Sequence, residues 1–289
     1  MTPRGGGDSE AARRTWLEID RGGAPLLVSF PHTGTDIPAD IEPRLASGWL
    51  ARKDTDWWVH RLYGMTRDLD ATTVRTTMSR TMIDVNRDPS GASLYPGRAT
   101  TELCPLATFD GEPLYVAGSE PDAAEIAVRR TQYFEPYHIA LAAEIERLRA
   151  EHRLVVLYDA HSIRSRIPRL FEGTLHHFNL GTHDGRSCDL ALTRIVEQAC
   201  EHPGFTRVTD GRFKGGWTVR HHGRPGAGVH AVQMELACRA YLEEPSETVS
   251  EENWPGEFDS ARAALAQAVL ARVLEACVRF ARTQRGRPK

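Results

Sequence analysis

The chain has 289 residues, 40 % apolar and 26 % charged, with 36 basic against 39 acidic side chains and a formal net charge of −3. That length can bury a large core, and the balance excludes collagen-like, low-complexity and polyelectrolyte chains. The lack of a Lys/Arg block argues against a nucleic-acid partner, and the lack of any run near the roughly 20 apolar residues of a membrane span argues against a membrane one.

Residues 1–14 read as a disordered, Gly-rich leader with no apolar signal region, and residues 15–289 as a single domain. Five scattered cysteines (Cys104, Cys188, Cys200, Cys238, Cys277) lack the two-residue spacing of a zinc knuckle or redox motif. They predict reduced thiols in a cytoplasmic protein. Thr15–Asp20 and Pro25–Pro31 read as strands joined by a hairpin-like turn at Arg21-Gly22-Gly23. Helices are expected between Ile41 and Arg67, where Trp57, Trp58, Leu62 and Met65 recur at helical spacing. Strands follow at Thr72–Thr77 and Thr81–Val85, then a Pro- and Gly-rich loop over 88–118.

Asp122 to Arg149 carries a long amphipathic pattern with a possible break at Pro136. A strand at 154–158, a helix from Cys188 to Cys200, a strand at Val229–Leu236 and an Ala-rich helix at Asp259–Arg282 complete the order. Strands alternating with helices predict an α/β fold with a mixed, mostly parallel central sheet flanked by helices.

Three strand-like runs end in chemically loaded residues. Leu26–Pro31 runs into His32, Val155–Tyr158 into Asp159-Ala160-His161-Ser162, and Val229–Met234 into Glu235. Strand ends of this kind deliver side chains to the carboxyl edge of an open α/β sheet. Asp54-Thr55-Asp56-Trp57-Trp58 adds two carboxylates at a helix start; one suits a cap, and the other, beside two large aromatics, suits a metal. Two His and one carboxylate with an open position is a metallohydrolase set, which His32, Asp56 and His161 supply. A divalent ion so held, Zn2+ or another, would acidify a water and polarise a carbonyl. Glu235 is then the general base, and Asp159 shares the face of His161 as its orienting acceptor or as an Arg partner.

Asn86 and Arg87, closing the run Ser79–Arg87, suit a carboxylate clamp, because a guanidinium fork matches a carboxylate bidentately. Gly215-Gly216-Trp217-Thr218 with His221-His222-Gly223 reads as a flexible loop that closes over a substrate, Lys214 and Arg220 adding positive charge. His176-His177 and His221-His222 read as ordinary loop histidines.

Taken in order, Ser29-Phe30-Pro31-His32-Thr33-Gly34, Asp54-Thr55-Asp56-Trp57, Ile83-Asp84-Val85-Asn86-Arg87, Asp159-Ala160-His161-Ser162 and Gln233-Met234-Glu235-Leu236 resemble the N-formylglutamate amidohydrolase family. Gly91–Gly97 and Gly211–Gly216 match as well, so the resemblance runs from about Pro25 to Tyr241. It implies a zinc-carboxypeptidase-like fold and cleavage of N-formyl-L-glutamate, a small-molecule substrate of histidine breakdown, to formate and L-glutamate. Those zinc relatives pair a His with an acid three positions on; here position 35 is Thr and Asp36 follows. The acidic ligand therefore falls to the Asp-Thr-Asp-Trp segment, Asp56 matching best with Asp54 and Asp36 as rivals. In that reaction Arg80 is expected to help the metal stabilise the oxyanion. Asn86 and Arg87 then hold one substrate carboxylate, and Arg164 or Arg166 the other. A deacylase of other N-acyl amino acids and a non-catalytic binder of acidic amino acids are the alternatives. Oligomeric state is left open.

Overall fold

The structure, a computed structural model, describes residues 16–97 and 99–283. The expected leader at 1–14 lies outside them. Strands β1 Leu17–Asp20, β2 Leu26–Phe30, β3 Thr72–Thr76, β4 Val155–Ile163, β5 Phe178–Gly181, β6 Arg207–Thr209 and β7 Val229–Ala237 form one sheet in the order β1-β3-β2-β4-β7-β5-β6. The helices are α1 Leu50–Lys53, α2 Val59–Leu62, α3 Ala123–Arg129, α4 Glu135–Glu151, α5 Leu190–Ala199, α6 Trp217–His222 and α7 Ser260–Thr283. Four neighbouring strand pairs are parallel and two antiparallel. The mixed, mostly parallel α/β sheet expected from the sequence is therefore present.

The sheet is covered on both faces, which is why its central strands are near-continuous apolar runs; every residue of β2, β4 and β7 is buried. Side chains alternate between faces along a strand. Leu26, Val28, Val156, Tyr158, Val232 and Met234 face α5 and α7, packing against Leu192, Val196, Leu270 and Leu274. Leu27, Val155, Leu157, Val229 and Ala231 face α4, packing against Tyr137, Leu141, Ile145 and Leu148. Full burial of such a side chain contributes about 1.5–3 kcal/mol, so these two layers hold the sheet rigid. Among the described residues no helix is long and apolar enough to cross a membrane, and all five cysteines are free and buried.

Several expectations need correction. β1 does not form a hairpin with β2; it pairs antiparallel with β3, which lies between them. Gly22 lies so close to the chain entering β3 that a Cβ there would stand 2.0 Å from the Asp70 carbonyl oxygen. The glycine therefore serves that approach rather than a tight turn. Residues 81–85 form turns, not a strand. Thr81 Oγ1 donates to the Ala51 carbonyl and Asp84 N to that of Leu103, while Ile83 and Val85 bury against the α4 layer. The alternation there reports burial, not a ladder. Between Ile41 and Arg67 the helices are single turns. The helical run after Asp122 continues past Pro136, because a π-turn at Arg130–Phe134 precedes α4 and takes up the missing donor. The segment read as a flexible loop contains α6, and strands β5 and β6 were not expected.

Candidate active site

On the α4 face, the three parallel strands change from apolar to polar at one level. Leu27, Leu157 and Ala231 are register neighbours, and two residues on so are Ser29, Asp159 and Gln233. His161 and Glu235 make the next row. Both lie inside β4 and β7 rather than in loops after them. Buried polar groups of this kind are tolerated only when partnered, and the partners come from the segments 79–87 and 215–218.

His32, two residues past β2, and His161 are both buried, with ring centroids 4.8 Å apart. Asp56 is fully buried between them, its backbone N–H donating to the His32 carbonyl oxygen. Asp56 Oδ2 lies 3.0 Å from His161 Nδ1 and 3.7 Å from His32 Nδ1. The other ring nitrogens face carboxylates: His32 Nε2 is 2.7 Å from Asp84 Oδ1 and His161 Nε2 is 2.9 Å from Asp159 Oδ2. Each carboxylate thus selects the tautomer whose Nδ1 lone pair points to the shared centre, the usual outer support of a metal-ligating His. His32 Nδ1 and Asp56 Oδ1 are buried without a hydrogen-bond partner. The three donor atoms lie within 4.8 Å of one another. Donors on a tetrahedral zinc with bonds of ~2.0–2.1 Å stand about 3.4 Å apart, so the two shorter spacings bracket the requirement. The residues present fit a divalent cation.

Asp84, not singled out from the sequence, organises the next layer. Besides His32 it accepts from Arg80 at 2.6 Å and from the Asn86 backbone N–H at 2.9 Å, and it lies 3.6 Å from Arg87. Arg80 also reaches Asp56 Oδ1 at 3.5 Å and stacks over Phe109. Arg87 donates to Thr101. The Asn86 amide is taken up within the protein: its Nδ2 contacts Asp159 and His161, and its Oδ1 accepts from Thr218 N. It ties the start of α6 to the His161 row. Gly216 is required there, since a Cβ would lie 2.5 Å from that amide. Gln233 accepts from Gly216 N and donates to Glu235 Oε2 at 3.2 Å.

Burial pulls the His32 pKa down, with help from Arg80. Burial acts the same way on His161, but Asp159 and Asp56 outweigh it and hold that imidazole well above its ordinary value. For Asp56 and Asp84 burial is outweighed in the other direction by the histidines and arginines around them, which keep both carboxyls low. Glu235 differs: burial pushes its carboxyl up to about 7 against the opposing pull of His161.

The pocket is lined by His32, His161, Glu235, Gln233, Arg80, Asn86, Arg87 and Arg212, with Phe109, Ile163, Leu170 and Phe213 as an apolar wall. Of the residues expected to bind substrate, three are placed elsewhere. Arg164 is spent on Asp110 at 2.6 Å and Asp54 at 3.3 Å. Arg166 is exposed and donates to Thr174. Lys214 pairs with Asp184. Asp54 meets Arg164 and the Phe109 backbone N–H, and Asp36 meets Thr77; neither reaches the His pair. His221 and His222 belong to α6, His222 stacking on His138.

The sequence profile described as N-formylglutamate amidohydrolase matches residues 24–242. An N-formylglutamate deformylase of Pseudomonas aeruginosa is 41 % identical over 267 residues, 92 % of this chain and 97 % of that one. One of Pseudomonas putida is 44 % identical over 229 residues, 79 % of this chain and 85 % of the other. Among solved structures, an N-formylglutamate amidohydrolase from Ralstonia eutropha JMP134 superposes with a TM-score of 0.74 at 23 % identity, covering 92 % of this chain and 98 % of its own. A gene product of Agrobacterium tumefaciens gives 0.67 at 18 %, covering 92 % and 95 %. At these identities both show likeness of fold.

Proposed function

We propose, on the premise that this chain belongs to the N-formylglutamate amidohydrolase family, a residue-level account of how it hydrolyses N-formyl-L-glutamate to formate and L-glutamate. His32, Asp56 and His161 hold a divalent cation, zinc or another ion that two imidazoles and a carboxylate suit. Bound there, the ion would polarise the formyl carbonyl and acidify a water. Glu235, in the strand beside His161, takes a proton from the attacking water as the water oxygen adds to the formyl carbon. It then delivers the proton to the amide nitrogen as the C–N bond breaks. Arg80 meets the negative charge that develops on the formyl oxygen, its guanidinium already held by Asp84 and Phe109 and so costing no reorganisation. Arg87 binds the α-carboxylate, and Asn86 keeps the His161 row and α6 in place.

The observation that carries this reading is the convergence of two imidazole Nδ1 atoms and one carboxylate, each imidazole backed by a second carboxylate. A binder of acidic amino acids has no need of a buried Glu at that point. The reading is tested by formate release from N-formylglutamate, before and after chelation and after divalent ions are restored. Activity should disappear and return; full turnover by a verified metal-free sample rejects the metal role. Comparison with N-acetylglutamate sets the acyl preference.

A further inference from the structure

Resting on that reading, the formyl oxygen is set against Arg80, and what stands beside Arg80 decides how large an acyl group can be. The guanidinium donates to Asp84 at 2.6 Å and comes within 3.5 Å of Asp56. It also lies against a ring, its carbon 4.7 Å from the Phe109 centroid. Arg80 and Phe109 both line the pocket. An acyl carbon carries its oxygen and its remaining substituent side by side, a hydrogen in the formyl group and a methyl in the acetyl. A group whose oxygen meets Arg80 therefore brings that substituent up to the neighbours of Arg80. Asp56 and Asp84 are charged and engaged by the two histidines, whereas Phe109 presents an apolar wall.

That wall is held firmly. Phe109 sits in a tight turn whose arms meet in an antiparallel bridge between Ala107 and Pro113. Thr108 N donates to the Glu112 carbonyl and Gly111 N to that of Thr108, with Gly111 at φ +98°, where a glycine is favoured. Charges fasten the turn from outside. Buried Lys53 reaches Asp110 at 2.7 Å and Glu112 at 2.6 Å, and Arg164 reaches Asp110 at 2.6 Å. Asp54 Oδ2 accepts from the Phe109 backbone N–H at 2.6 Å. The ring is 6 % exposed and packs with Ile163, Ile167, Leu175 and Ala237. Asp54 and Arg164, drawn away from the roles expected of them, thereby fix the wall of the site. A ring so held resists an added methyl, because a close-packed interior takes in an extra carbon only with strain. A hydrogen asks for no movement.

We infer that Phe109 is a specificity-determining residue whose ring limits the acyl group of the substrate to formyl. The test measures kcat/KM on N-formyl- and N-acetyl-L-glutamate for wild type, Phe109→Ala and Phe109→Leu. The leucine variant keeps more of the buried packing and carries the test should the alanine variant fail to fold. Wild type should prefer the formyl compound by at least about 10-fold. Losing the ring also removes a support from Arg80, so formyl turnover falls, and the ratio between the substrates is the readout. The acetyl-to-formyl ratio of kcat/KM should rise by about 10- to 200-fold in Phe109→Ala, the range that one methylene commands in an apolar pocket. It should rise by less in Phe109→Leu. A purely structural role would lower both rates together and leave the ratio where it was. An unchanged ratio in every variant that folds, or a wild type that takes acetyl as readily as formyl, overturns the assignment. Wild-type protein inactive on both compounds would instead reject the amidohydrolase reading, leaving the two failures distinct.

Discussion

His161 and Glu235 are register partners in the adjacent parallel strands β4 and β7. Two central strands therefore fix a candidate ligand and a candidate base relative to each other, and no loop motion intervenes. A site built on rigid elements keeps its geometry when one side chain is exchanged for an isostere. Glu235→Gln should accordingly leave KM and metal affinity within about threefold, while kcat falls by about 10²–10⁴-fold, the usual contribution of a positioned general base. Steady-state kinetics with metal titration checks both halves. Turnover near wild type in the Gln variant removes Glu235 from the proton-transfer role.

The carboxylates behind the two imidazoles make a separate prediction. Asp84 faces His32 Nε2 and Asp159 faces His161 Nε2, and Ser29 Oγ, itself bonded to the Tyr137 hydroxyl, donates to Asp159 Oδ1. Asp84→Asn and Asp159→Asn each offer an amide where an acceptor is needed, so the ring tautomer that aims Nδ1 inward loses its support. Divalent-ion affinity should drop by roughly 10- to 100-fold in either variant, read by competition with a chromophoric chelator. Unchanged affinity would mean that these carboxylates do not orient ligands.

Gly216→Ala probes the junction between α6 and the His161 row. The added Cβ would meet the Asn86 amide at 2.5 Å, and that amide cannot swing away without breaking its hydrogen bonds to Asp159 and to the Thr218 N–H. Overpacking of this kind costs about 1–3 kcal/mol. The thermal midpoint should fall, and activity should fall further than stability explains, because the displaced group touches a candidate ligand. A variant as active and as stable as the parent would show that the junction yields freely.

How much of this was legible in sequence follows from what each signal encodes. The polar rows of β2, β4 and β7 could be read because each interrupts an apolar run, which marks a face where α4 stops covering the sheet. His32, His161 and Glu235 were singled out that way, Asp56 from the paired carboxylates before Trp57-Trp58, and the family resemblance added order to them. Asp84 was missed although it sits inside a quoted motif: its bonds to His32 and Arg80 exist only after residues 77–87 turn back over the sheet. Arg164, Arg166 and Lys214 were expected at the substrate because a charge count cannot tell a cation engaged elsewhere in the protein from one that lines the pocket. Arg164 is engaged by Asp110 and Asp54 from two other segments, a long-range fact. β5 and β6 escaped notice for a related reason: strands of four and three residues carry too few residues for a period.

A buried histidine pair away from the pocket floor gives the pH dependence of stability. His138 Nε2–H donates to the Val85 carbonyl at 2.8 Å, so its Nδ1 is an acceptor, and His222 Nε2 lies 3.0 Å from it as the donor. Both rings are satisfied only when neutral. Burial lowers the His138 pKa to about 4, and burial with the facing His138 lowers that of His222 to about 2. Both folded values lie below the unfolded one, so their contribution is complete above about pH 6.5 and is lost as pH falls. By pH 4 the loss is about 3 kcal/mol for each ring, as an order of magnitude. Burial gives His60 and His177 the same direction, also with values about 4. The urea midpoint should therefore decline steadily between pH 6.5 and 4, before the low-lying buried carboxylates titrate. His222→Gln keeps a donor toward His138 without a proton to gain, so its decline should be shallower than that of the parent. Identical slopes for the two proteins would mean that the His138–His222 pair does not set the acid sensitivity.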